Sequence, residues 1–259
     1  MSEVPRFRER LLRGDLLIGT MITLNAPAVP ELMAAVGFDW LFIDAEHGVF
    51  EARELQALLQ AAGAATPGIV RVSTGLEVPI KKALDVGAAG IITPQINTAK
   101  HAAEVVRLAK YPPAGSRGVG VARAQGYGLN LSEYLHTANE RTAVIVQAEH
   151  IEAVRNIEAI VRVPGIDAVL VGPYDLSASL GKAGQVEDVE VRQAIDRVTT
   201  VCQDAGMRLG IFGVSAAAVK PYVDRGYTLI AVGVDTLLLG QAAGAMLMEM
   251  KGDSRELSP

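Results

Sequence analysis

Residues 35–44 read AVGFDWLFID, a helix end, then a glycine, then a run of apolar residues that closes on an aspartate. The same layout returns as DVGAAGIITP (85–94), RVPGIDAVLVGP (162–173) and DRGYTLIAVG (224–233). The glycine suits a helix C-terminus, where one left-handed residue is wanted. The apolar runs do not alternate, which is how strands buried on both faces read in a parallel sheet. Strands are predicted over 16–22, 39–46, 68–72, 89–95, 142–149, 167–173, 208–213 and 228–235. Amphipathic stretches such as EARELQALLQAAGA and HAAEVVRLAK separate them. About eight βα units predict a closed (β/α)8 TIM barrel. A doubly wound open sheet needs a glycine-rich phosphate turn after its first strand, and TMITLNAP (20–27) has none.

Composition agrees with that reading. The 259 residues are 50% hydrophobic and 20% charged, enough for one large core. The expectation is a single barrel domain over 1–259, with a polar tail, 251–259, that frays. A net charge of −5 gives no electrostatic case for nucleic acid or anionic membrane. One cysteine, Cys202, excludes an internal disulfide or a thiolate metal cluster and reads as a buried helix position. The N-terminus has no apolar signal core and no apolar run reaches a membrane span, so the chain is expected in the cytoplasm.

In such barrels chemistry sits at the C-terminal ends of the strands. The second strand ends in Asp44, Glu46 and His47, the third in Arg71, the fourth in Gln95, the fifth in Gln147 and Glu149, and the sixth runs through Gly172 and Pro173 to Asp175. Polar ends from so many strands would converge on one rim. Glu149 and Asp175 end adjacent strands, roughly 4.8 Å apart. Two carboxylates that close repel unless a cation lies between them. Hard oxygen donors without cysteine suit Mg²⁺ or Mn²⁺, with Co²⁺ or Zn²⁺ as alternatives. A paired-carboxylate acid/base device is the competing use. His47 has the ordinary pKa for a general base at neutral pH, and Arg71 can stabilise an enolate oxygen or pair with Asp44 or Glu46. Ser177 follows Asp175 at the start of a short helix, where free N–H groups could take a carboxylate. His101 and His136 read as surface, and His150 as a neighbour of the Glu149 site. Residues 111–140 form a long, glycine-rich connection carrying Arg117 and Arg123, read as a lid or binding loop.

DAEHG (44–48), Gln147-x-Glu149 and GPYDLSASLG (172–181), in this order, resemble the HpcH/HpaI aldolases over residues 6–250. These are class II, metal-dependent pyruvate aldolases of the phosphoenolpyruvate/pyruvate barrel superfamily. The resemblance implies cleavage of a 4-hydroxy-2-oxo acid to pyruvate and an aldehyde. It implies metal ligation by Glu149 and Asp175, acid/base work by His47 and enolate stabilisation by Arg71. It also implies that Asp85 pairs with the histidine across a subunit boundary. A hexamer, a trimer of dimers, is implied too, with the last helix (236–250) exchanged between partners. Gln147, Gly172, Pro173, Tyr174, Ser177 and Phe212 would surround the substrate. Here the chain departs from the family: His150 follows the metal ligand, Tyr174 fills a usually small position, and Phe212 is bulky. The alternatives are a malyl- or citramalyl-thioester lyase of the same superfamily, and a barrel that binds an oxo acid or metal without turnover. A Schiff-base aldolase needs a lysine at a strand end, and no predicted strand supplies one.

Overall fold

The computed structural model describes residues 6–251. The expected tail therefore lies outside the described residues, apart from Lys251. Eight strands, β1 (Leu17–Ile22), β2 (Trp40–Asp44), β3 (Gly68–Arg71), β4 (Gly90–Thr93), β5 (Ala143–Ala148), β6 (Ala168–Val171), β7 (Arg208–Gly213) and β8 (Leu229–Val234), pair in parallel and in order. β8 pairs with β1 and closes the barrel. Each strand ends within two residues of its predicted boundary. Helices α1 (Phe7–Arg13), α2 (Ala28–Val36), α3 (Ala52–Ala62), α4 (Glu77–Asp85), α5 (Ala99–Ala109), α6 (Leu131–Arg141), α7 (Ile151–Arg155), α8 (Ile157–Ile160), α9 (Pro173–Ser179), α10 (Val189–Asp204), α11 (Ala216–Val223) and α12 (Asp235–Lys251) complete the chain.

The glycines of the four repeats, Gly37, Gly87, Gly165 and Gly226, all have positive φ, between 87° and 103°. Those left-handed turns end each helical segment and aim the chain into the next strand. Helix starts are also written locally. Glu51 and Glu54 form a reciprocal capping box at α3, and the Thr98 side chain caps α5.

Two cores share the sheet. One lies between strands and helices, with Leu58, Ile80, Val105, Ile195 and Cys202 buried in it. The other fills the barrel, with Met21, Trp40, Phe42, Ile92, Ile145 and Leu170. α1 joins this inner core through Phe7 and Leu11, and Phe7 stands 5.9 Å from the Trp40 ring. It therefore plugs the N-terminal floor and leaves the C-terminal rim as the open end. Gly19 gives Trp40 its room, since a Cβ there would lie 2.6 Å from the indole.

The 111–140 connection is not a structureless lid. It holds a 3₁₀ turn (Arg123–Gly128) and most of α6. It joins a helix end to a strand start, so it lies at the floor, opposite the rim. Arg117 is buried there, 4.6 Å from the Tyr111 ring centroid and 2.7 Å from Asp85, and Arg123 donates to the Val86 carbonyl. α12 runs off β8 with Leu239, Met246, Leu247 and Met250 exposed. Among the described residues no helix is long and apolar enough to cross a membrane.

Candidate active site

The end of β2 is a turn organised by Asp44. Its Oδ1 accepts the backbone N–H groups of Glu46 (3.1 Å) and His47 (3.3 Å). Gly48 donates to the Asp44 carbonyl, and a Cβ at 48 would sit 2.1 Å from that oxygen. The buried aspartate thus fixes the loop that carries His47 into solvent, where the imidazole is 67% exposed and 3.9 Å from Glu46 Oε2.

Arg71 is built into the same turn. Its Nε and Nη2 make a bidentate pair with Asp44 at 2.8 and 2.7 Å, and Nη1 lies 3.2 Å from Glu46. Beneath it the Phe42 ring is 5.2 Å away, itself stacked on Trp40 at 6.0 Å. An aromatic column therefore rises from the α1 plug to the guanidinium. Burial opposes the charge of Arg71, but the bonds to Asp44 and the nearby Glu46 and Glu149 outweigh it and raise its pKa. Both roles expected of Arg71 are compatible: it is ion-paired, and it lines the rim.

On the facing side, Glu149 is buried. Oε1 accepts the Gln95 N–H at 2.7 Å, and Oε2 accepts from the Gln147 amide. Gln95 reaches it from a left-handed backbone conformation, φ 56°, the kind of strain that collects at functional sites. Burial pushes the Glu149 carboxyl up to about 7. The Gln95 bond resists that, while Glu46 and Asp175 add to it. Glu46 is raised as well, by its burial, against the pull of Arg71. Gly172 must be small: a Cβ would come within 2.9 Å of Glu149 Cβ and 3.0 Å of Gln147 Nε2.

A cavity of about 320 Å³ opens between these groups. Asp44, His47, Arg71, Gln147, Gly172, Pro173, Tyr174, Asp175 and Phe212 all line it, with Glu149 against Gly172 and Gln147. Two larger clefts, one beside α3 and one at the floor, gather no such set of acid, base and carboxylate side chains. Two of the expected site residues stand apart. Ser177 is fully buried, its hydroxyl donating to the Tyr174 carbonyl and accepting from the Gly184 N–H. Asp85 lies at the floor end of α4, held by Arg117 and Gln125. His150 caps α7 by accepting the Glu152 N–H, and His101 is half-buried near Gly75 and not fully at the surface. Met21, Thr23, Phe42 and Leu170 also line the cavity and were not anticipated. Neither was Asp235, which accepts from Thr23 and Leu24 and ties the loop after β1 to α12.

The donor set fits a hard cation. Asp44, Glu46, Glu149 and Asp175 face one guanidinium, and the Gln147 Oε1 atom is buried without a partner. Among the described residues no three His, Cys, Asp or Glu side chains are grouped to hold a metal alone. An ion held by Glu149 and Asp175 would complete its shell with water or substrate oxygen.

The profile of the HpcH/HpaI aldolase/citrate lyase family matches residues 18–242. The chain belongs to that family. A hydroxypyruvate/pyruvate aldolase of Pseudomonas aeruginosa is 39% identical over 252 residues, covering 96% of this chain and 94% of that one. A 4-hydroxy-2-oxo-heptane-1,7-dioate aldolase of Escherichia coli is 38% identical over 255 residues, covering 98% and 97%. The crystal structure of an HpcH/HpaI aldolase/citrate lyase family protein from Burkholderia cenocepacia superposes with a TM-score of 0.91 at 37% identity, over 94% of this chain and 98% of that one. The family and barrel expected from the motifs are both borne out.

Proposed function

We propose that this single-barrel chain is a metal-dependent carbon–carbon lyase that cleaves 4-hydroxy-2-oxo acids reversibly to pyruvate and an aldehyde. The observation that carries the reading is the convergence of His47, Arg71 and the carboxylates of Glu149 and Asp175 on one cavity at the barrel rim. Glu149 and Asp175 would hold a divalent ion, Mg²⁺ or Mn²⁺ by the hardness of their oxygens. Such an ion supplies Lewis-acid polarisation of the 2-keto group.

His47, directly or through a water it orients, takes the proton of the C4 hydroxyl. The C4–O bond becomes the aldehyde carbonyl as C3–C4 breaks, and that electron pair forms the C2–C3 enolate. Arg71 stabilises the enolate oxygen, preorganised by Asp44 so that no reorientation is needed as charge develops. Proton return to C3 gives pyruvate. Asp44 is a positioning residue here: it holds both the His47 turn and the guanidinium. The exposed apolar face of α12 supports exchange of that helix within a homo-oligomer, with the hexamer as the proposed form. In that assembly Asp85 would meet the His47 of a neighbouring subunit. The cytoplasm is the proposed location.

Pyruvate release from a racemic 4-hydroxy-2-oxo acid, coupled to lactate dehydrogenase, tests the reading. Activity should vanish in EDTA and return with Mg²⁺ or Mn²⁺. Activity indifferent to chelation would remove the ion from Glu149 and Asp175.

A further inference from the structure

We infer that the aldehyde end of this cavity selects uncharged aldehydes with a short apolar tail and rejects aldehydes that carry a carboxylate. The inference rests on the aldolase reading above and specifies its substrate class.

Three observations carry it. First, the wall away from the carboxylates is apolar. Met21, Phe42 and Leu170 are buried in the barrel core and line the cavity, and Tyr174 and Phe212 join them at the mouth. The Tyr174 and Phe212 rings meet with centroids 6.4 Å apart, tilted by 54°. A tail between them exchanges water for aromatic and aliphatic surface.

Second, the lining holds no uncommitted cation for a distal carboxylate. Its basic side chains are His47 and Arg71. All three Arg71 nitrogens already contact Asp44 or Glu46.

Third, the local charge is adverse. Four carboxylates, against one guanidinium and a divalent ion, leave the site net negative before the carboxylate of pyruvate is added. A second anionic end would be desolvated among like charges, which is how a site excludes a competitor. The volume, about 320 Å³, lies at the small end of ligand pockets and favours a short tail.

The test compares pentanal with 4-oxobutanoate, of similar length, as acceptors for pyruvate. In parallel, exchange of the pyruvate methyl protons for deuterium without aldehyde is followed by NMR, which reads the enolate half of the reaction alone. The expected kcat/KM ratio favours pentanal by about tenfold or more, within the range one hydrophobic pocket can discriminate. Tyr174→Ala and Phe212→Ala should each lower that ratio about threefold to tenfold by removing apolar wall. Proton exchange with a ratio at or below parity overturns the selectivity and leaves the aldolase reading standing. An unchanged ratio in both variants overturns the role of the aromatic pair. Absence of both exchange and product overturns the selectivity together with the reading beneath it.

Discussion

The rim and the floor of this barrel handle buried charge in opposite ways. At the floor every buried ion is matched. Asp167 takes two bonds from Arg8, at 2.9 and 2.8 Å, and a third from the Val144 N–H. Lys110 donates to the carbonyls of Asn139 and Thr142. Arg117 lies between two tyrosine rings and bonds Asp85. At the rim, Asp44, Glu46, Glu149 and Asp175 share one arginine, and Glu149 is driven to about 7. A fold selected for stability alone would not bury that excess. The floor holds the barrel together, and the rim keeps an imbalance that a cation and a substrate resolve.

The widest gap between the two ends should appear in activity. Arg71→Lys keeps a charge but loses the bidentate grip on Asp44, so kcat/KM should fall about 10²–10³-fold. Steady-state kinetics at saturating metal would check this, and a loss below tenfold would break the rim half of the contrast. The floor should answer in stability. Asp167→Ala strands Arg8 and the Val144 N–H, costing about 3 kcal/mol in denaturant unfolding, with kcat/KM changed less than about threefold. A subtler effect concerns Lys110, whose burial lowers its pKa to about 8 from 10.5. Between those values the unfolded chain binds more protons than the folded one, so this group makes stability rise with pH. Relative to Lys110→Met, the wild type should gain on the order of 2 kcal/mol across that window. A flat difference would show that the ammonium is not desolvated at the floor.

Much of this was legible in the chain. Doubly buried strands write themselves as continuous apolar runs. The repeat glycines mark helix ends because left-handed backbone excludes most other residues. The rim residues followed from where strands end. What was hidden has physical reasons. Gln95 acts through a backbone N–H, which no side-chain pattern reveals. Asp235 closes the last strand as Asp44 closes the second, and the same rule applied there would have found it. The segment LSEYLHTANER forms α6 with only Ala138 buried, so its weak amphipathicity was lost behind a glycine-rich approach. Ser177 looked available beside Asp175, but its hydroxyl is taken up by the turn at Gly184. The floor position of Asp85 follows from the direction of α4, since a helix after a strand runs back toward the strand starts.

The account stands on one claim, that the rim carries surplus buried carboxylate in order to hold a divalent ion. Calorimetric titration of Mn²⁺ into the wild type and Glu149→Gln, paired with unfolding of both in EDTA, tests it most directly. Glu149 is raised in the folded state, so its contribution to stability falls as pH climbs from 4.5 to about 7. At pH 8 the neutral isostere should therefore be more stable by about 1–2 kcal/mol without metal, while Mn²⁺ binding, one ion per wild-type chain, is lost. Equal Mn²⁺ affinity in the two proteins, or a Glu149→Gln variant less stable than wild type in EDTA, would contradict the claim.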